Sequence, residues 1–278
     1  MISKEKFWSL LLRGPLREQV AGLGAGECTH PLDLQELAAQ VGVRAGLTAP
    51  KFISLDTLEA LPPSLRQREL YVIRLGQRHK GRAMFVLCRA CRGYAREVLR
   101  PEERGEAEEL HIELGHLPRW VLLLAQRLRG EAVALLGAAT FIRAVSRGKE
   151  VHVLPSVRLA SAKFTFRPTE TSGPYTYWGQ VEVDAVLGAE ELYVLEAKSR
   201  RQRLLKYKVA FSALALANIL NKPVHPLVAF VSREKARMKL DILLLSPPAG
   251  LAAEPYVVEH LRPVVKASVI LPHAPPRL

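Results

Sequence analysis

The stretch from Gly179 to Lys198 constrains the fold more than any other segment of the chain. It reads Gly179-Gln180-Val181-Glu182-Val183-Asp184-Ala185-Val186-Leu187, a short turn, then Glu191-Leu192-Tyr193-Val194-Leu195-Glu196-Ala197-Lys198. Alternate side chains of a strand share a face. Gln180, Glu182 and Asp184 therefore project together, with Val181, Val183, Ala185 and Leu187 opposite them. In the second run Leu192, Val194, Glu196 and Lys198 share a face. Two such runs across a short turn make an antiparallel hairpin. Directly paired residues also share a face, so the acidic face meets Glu196 and Lys198 only when paired residue numbers add to an even total. An odd-length loop such as Gly188-Ala189-Glu190 meets that condition. With Leu187 opposite Glu191, Glu182 faces Glu196 and Asp184 lies on the diagonal; a slip by two sets Asp184 opposite Glu196. Either register gathers two or three carboxylates and an ammonium.

Crowded carboxylates repel, and burying them uncompensated costs several kcal/mol. A hard divalent cation removes that penalty. Mg²⁺ takes one or two carboxylates, a backbone carbonyl and water, a set suited to phosphate-ester chemistry. Lys198, two residues beyond Glu196 on the same face, is placed to contact the attacking water and to stabilise the charge of the transition state.

The spacing of Asp184, eleven intervening residues and then Glu196-Ala197-Lys198 resembles the PD-(D/E)XK nuclease superfamily, which includes many type II restriction endonucleases and junction resolvases. The resemblance spans residues 120–245 and leaves the first third unmatched; Val183 stands where the name-giving proline would be. It implies an α/β fold of restriction-endonuclease type, a mixed central sheet flanked by helices, that hydrolyses DNA phosphodiesters with Mg²⁺ and works as a homodimer. Carried over by position, Asp184 and Glu196 are metal ligands with the backbone of Ala197, Lys198 is the catalytic lysine, and Glu182 joins the acidic set. Some members of the superfamily add an acid from an upstream helix; Glu131 is the candidate here, with Glu170 as the alternative. A type II restriction enzyme also implies a partner DNA methyltransferase acting on the same site.

Lys and Arg number 40 against 27 Asp and Glu, a net charge of +13, so a polyanion is the natural partner. Lys198, Arg200, Arg201, Arg203, Lys206 and Lys208 fall within eleven residues with no acid among them. We expect the last five to clamp the backbone of double-stranded DNA, with Gln180 beside them. A helix over Gln202 to Leu220 carries several of these cations, seated by Leu204, Tyr207, Phe211, Leu214 and Leu220.

The first third reads as a smaller α+β unit. Ser3 to Arg13 is helical and stops at Gly14-Pro15. Asp33 and Glu36 cap a helix over Leu34 to Val41, and a second short helix near Ser54 to Leu61 makes the pair resemble a helix-turn-helix. Leu70 to Leu75 and Ala83 to Cys88 form a hairpin whose loop, with Arg78 and Lys80, serves as a DNA-touching wing. Six glutamates between Pro101 and Glu113 read as a surface linker, dividing a recognition domain at 1–114 from a catalytic domain at 115–278. Trp120 to Val145 is helical, and strands follow at 151–159, 163–166, 175–187, 191–198, 226–231 and 239–245.

No apolar run reaches the roughly 18 residues of a membrane helix, and no signal peptide opens the chain. The expectation is a cytoplasmic protein with no membrane partner, its three cysteines reduced. Cys88, Cys91, His111 and His116 have an interval too long for a common zinc finger. Only two asparagines, Asn218 and Asn221, fit a thermophilic source. Two other readings stand beside restriction: a structure-selective repair or junction nuclease, and a helix-turn-helix regulator with an inactive nuclease domain.

Overall fold

The computed structural model describes residues 2–43, 50–78, 82–102, 108–113, 130–234, 237–248 and 254–272. In chain order the elements are α1 (Lys4–Arg13), α2 (Arg17–Ala21), β1 (Leu32–Asp33), α3 (Leu34–Gln40), α4 (Pro50–Ile53), α5 (Pro63–Arg66), β2 (Leu70–Arg78), β3 (Arg82–Arg89), β4 (Val98–Leu99) and β5 (Glu108–Glu113). After them come α6 (Gly130–Val145), β6 (His152–Arg167), β7 (Tyr175–Gly188), β8 (Leu192–Ser199), β9 (Leu204–Leu205), α7 (Lys206–Leu220), β10 (Val224–Glu234), β11 (Arg237–Leu245), β12 (Tyr256–Val257) and β13 (Pro263–Pro272). No described helix is long and apolar enough to cross a membrane.

Local chemistry sets several boundaries where expected. Ser3 caps α1 by accepting from the Lys6 N–H, and α1 buries Phe7, Trp8, Leu11 and Leu12. Asp33 accepts from the N–H groups of Gln35 and Glu36 to open α3.

The fold is α/β, built on a mixed sheet in the order β1-β3-β2-β7-β8-β10-β11-β13-β5, with β6 also paired to β7 and β12. β8 and β10 are parallel, as are β13 and β5; β7–β8, β10–β11 and β11–β13 are antiparallel. One core cluster joins α7 to β2, β3, β6 and the N-terminal helices. A second joins α6 to β8, β10, β11 and β13, so helices cover both faces. Val181 and Val183 lie in the first cluster and Ala185 and Leu187 in the second, so the apolar face read from alternation is shared between the clusters as β7 twists.

β7 is a branch point. β6 pairs along one edge of it from Tyr175 to Gly188. The other edge is shared: β8 takes Ala185 to Gly188, and β2 touches it in parallel at Gly76↔Trp178. Between Trp178 and Ala185 that edge opens into a fork.

Gly76 makes the β2 contact feasible. Its φ is +87°, and an added Cβ would lie 1.9 Å from the Trp178 carbonyl oxygen and 2.5 Å from its carbon. Both are backbone atoms, which side-chain repacking cannot move aside. Gly76→Ala is therefore expected to lose about 3 kcal/mol or more in equilibrium denaturation, positive-φ strain adding to the clash. A loss below about 1 kcal/mol would mean that β2 is not held against β7.

Five expectations need correction. First, the boundary near residue 115 does not separate one core from another: β2 and β3 extend the same sheet, and residues from Phe7 to Leu99 share a cluster with Phe164, Tyr207, Phe211 and Leu261. Second, residues 108–113 are not linker; they pair with β13, which supplies a parallel edge to their backbone. Third, residues 54–61 hold one 3-10 turn at Leu58–Ala60 instead of a helix, because Thr57 bridges Leu204 and Leu58 N–H donates to Arg203 O. With α4 one turn long, the described residues hold no helix-turn-helix reader there. Fourth, α7 starts at Lys206 and not at Gln202, because Leu204 and Leu205 pair with β4. Fifth, Cys28 and Cys88 form a disulfide where their segments pair, leaving Cys91 free and taking Cys88 out of any zinc set. Residues 120–129 of the expected long helix, His116 and Lys80 lie outside the described residues, as does the side chain of Arg78.

Candidate active site

The β7–β8 ladder has the second of the two expected registers: Ala185 faces Leu195 and Leu187 faces Tyr193, around the three-residue turn Ala189-Glu190-Glu191. Continued by one residue, it sets Asp184 opposite Glu196. The ladder stops at that point, and its place is taken by a side chain: Asp184 Oδ2 accepts the Ala197 N–H at 2.8 Å.

Glu196 is 2% exposed. Its Oε1 accepts from Lys198 Nζ at 2.6 Å, and Lys208 Nζ stands 3.3 Å from its Oε2. That Oε2 is buried with no hydrogen-bond partner. Lys208 instead donates to the Glu182 carbonyl at 2.7 Å, on the open edge of β7. The cluster is two carboxylates and two ammonium groups held where the sheet divides.

Burial first, and then the neighbouring Glu196 charge, raise the Asp184 carboxyl above its ordinary value, against the opposing Ala197 N–H and the two lysines. Burial pulls the Lys198 ammonium down, but the charge and hydrogen bond of Glu196, with Asp184 adding, outweigh it and leave it above the usual lysine value. A raised carboxyl binds its proton more tightly in the folded chain, so the contribution of Asp184 to stability is fully present below its ordinary value and is lost as pH rises through the raised value. Asp184→Asn is therefore expected to melt at a higher temperature than the wild type at pH 7 to 8, with the gap narrowing as pH drops toward about 4. A lower melting temperature at neutral pH would mean that the lysines already compensate both carboxylates.

Two clefts flank the cluster and share Ser54 and Asp56. The larger, about 1000 Å³, is lined by Lys198, Arg200, Arg201 and Arg233, with Glu131 at the start of α6. The smaller, about 580 Å³, is lined by Lys208, Arg74, Gln180, Glu182 and Trp178. Arg200 is held in place: its Nε lies 3.3 Å from Asp241 Oδ2, and Lys239 Nζ lies 3.3 Å from Asp241 Oδ1. Asp241 is 3% exposed, and through Phe230 its strand register places it on the same sheet face as Lys198.

Asp184, Glu196, Ala197 and Lys198 thus come together as expected, Glu131 reaches the larger cleft, and Arg201 is exposed there. Other expectations fail in identifiable ways. Glu182 turns its carboxylate to Arg158 at 3.1 Å and to the Gln180 amide at 3.0 Å, so its backbone and not its side chain serves the cluster. Glu170 pairs with His260 and belongs to a different group with Glu259. Arg203 binds Glu59 through its backbone N–H and its Nε. Lys206 is buried, donating to the Glu259 carbonyl. Lys208 belongs to the carboxylate cluster, not to an outward clamp. Sequence reasoning missed Asp56, Arg74 and Asp241; only Asp241, a lone acid in the apolar run Leu240 to Leu245, stands out from its neighbours.

The arrangement fits a divalent cation. The register, continued by one residue, sets Asp184 opposite Glu196, and the buried Glu196 Oε2 makes no hydrogen bond, with the Lys208 ammonium 3.3 Å away; a cation would satisfy such an atom. No protein-family model matches the chain, no curated protein matches it, and no solved structure matches it.

Proposed function

We propose that the chain is a Mg²⁺-dependent DNA endonuclease of the PD-(D/E)XK kind, with the restriction-endonuclease version of the α/β fold. The observation that carries this reading is the buried Oε2 of Glu196 beside Asp184, which makes no hydrogen bond although the Lys208 ammonium stands 3.3 Å away, with Lys198 against the same carboxylate. Asp184, Glu196 and the Ala197 backbone would hold the cation, which when bound supplies Lewis-acid polarisation of the phosphate and lowers the pKa of a water. Lys198 orients the attacking water and faces the charge that builds on the phosphate. Arg200, fixed by Asp241, and Arg201 hold flanking phosphates in the larger cleft. Lys208 keeps the fork closed over Glu196 by bridging it to the Glu182 carbonyl. A homodimer, and a methyltransferase acting on the same sequence, belong to the restriction version of this reading. The structure-selective version gains from the merging of the first third into the sheet that carries Asp184, because sequence-specific restriction calls for a reader such as a separate domain at 1–114. A regulator with a dead nuclease domain has against it the assembled Asp184, Glu196 and Lys198.

Incubating the purified protein with plasmid, phage and branched DNA plus Mg²⁺ tests the reading. Cleavage that needs Glu196 is the expected result. Binding without cleavage of any of these substrates would overturn it.

A further inference from the structure

The smaller cleft has a composition that phosphodiester hydrolysis alone does not require. Trp178 lines it and is 45% exposed, a large exposure for a tryptophan in a strand. Lys163 Nζ stands 5.6 Å from the centre of its ring, and Lys163 lines, with Trp178, a neighbouring cleft instead of this one. Arg74 lines the same space from β2, its guanidinium donating to neutral oxygens: Gln180 O at 3.2 Å, Tyr177 Oη at 3.4 Å and Ser54 Oγ at 3.4 Å. Among the described residues no carboxylate lies within ion-pair distance of it. Asp56, an acid of the same cleft, meets the Tyr207 hydroxyl at 3.5 Å. The exposed Gln180 adds a side-chain amide able to read a base edge. About 580 Å³ is ample for one nucleotide, and Lys208 and Glu182 put the cleft next to the carboxylate cluster.

A duplex keeps its bases stacked, and a single aromatic ring beside a phosphate site gains nothing from a paired base. An unpaired base has a free face to stack on such a ring, worth about 1 to 3 kcal/mol, and pays no unpairing cost. We propose that this cleft is a subsite for one unpaired nucleotide adjacent to the scissile phosphate, with the base on Trp178, its edge at Gln180 and its phosphate at Arg74. This rests on the nuclease reading and narrows its substrate to DNA carrying an unpaired base, at a bulge, branch or single-stranded end.

The test is equilibrium binding by fluorescence anisotropy in EDTA, where nothing is cut. The probes are a perfect duplex of about 20 base pairs and the same duplex with a one-nucleotide bulge. The wild type is expected to prefer the bulged duplex about tenfold or more. Trp178→Ala and, separately, Arg74→Lys should each cut that ratio at least threefold, with melting temperatures recorded to confirm folding. No preference in the wild type, or a ratio untouched by both folded variants, would overturn the subsite. Glu196-dependent cleavage of perfect duplex with no bulge preference would overturn the subsite alone. A Trp178-dependent preference in a protein that cuts no DNA would uphold the subsite and overturn the hydrolytic reading.

Discussion

Glu196→Gln is expected to lower the cleavage rate by more than about a thousandfold, or roughly 4 kcal/mol in the barrier. The residue is 2% exposed, so no water takes over its role, and both of its oxygens face ammonium groups. The neutral amide removes a cation ligand and also leaves Lys198 and Lys208 confronting each other without an anion between them, so the positions of both lysines shift as well. DNA binding in EDTA should persist, because the larger cleft keeps Arg200 and Arg201. Measuring single-turnover cleavage and EDTA binding on one preparation separates the two effects. More than about a tenth of the wild-type rate in the variant would remove Glu196 from the chemistry.

The second large effect concerns stability. Cys28 and Cys88 are 60 residues apart in sequence, and the bond ties the segment before β1 to a fully buried position on β3. On the chain-entropy model a loop of that length contributes about 4 kcal/mol. Cys28→Ser with Cys88→Ser, or full reduction, should therefore lower the melting temperature by on the order of 10 °C. Thiol titration of the denatured, unreduced protein should find one reactive cysteine, Cys91. Three would show that the pair is reduced, and the stability difference would then vanish.

Several features of this protein are legible in the sequence because their causes are local. Ser3 and Asp33 announce helix starts through side-chain oxygens within three residues of the N–H groups they cap. Parity of strand pairing alone places Asp184 and Glu196 on one face, but both registers have a three-residue turn, so the choice between them was not legible and is settled by the pairing of Gly188 with Leu192. What could not be read depends on partners far along the chain. The acidic stretch ending at Glu113 looks like a linker until β13, some 150 residues later, provides a strand to pair with. Lys206 and Lys208 look equivalent in a basic run, yet two residues along a helix turn by about 200°. One consequently enters the core beside Glu259 and the other reaches Glu196. The helix expected from Gln202 starts only at Lys206 because Leu204 and Leu205 form β9, with Val98 and Leu99 opposite them.

The fork in β7 bears on engineering. Its open edge is closed from one side by Arg74 of β2 and from the other by Lys208 of α7, so the Asp184–Glu196 cluster is framed by side chains that enter the sequence more than 130 positions apart. An experimenter wishing to graft a foreign module in place of residues 1–114 meets, among the described residues, no seam to cut along: the excision would strip Gly76 and Arg74 from the rim and leave the Gln180 carbonyl without the Arg74 donor. On the proposed nuclease reading, retargeting would proceed by altering side chains within the two clefts, with the scaffold kept whole.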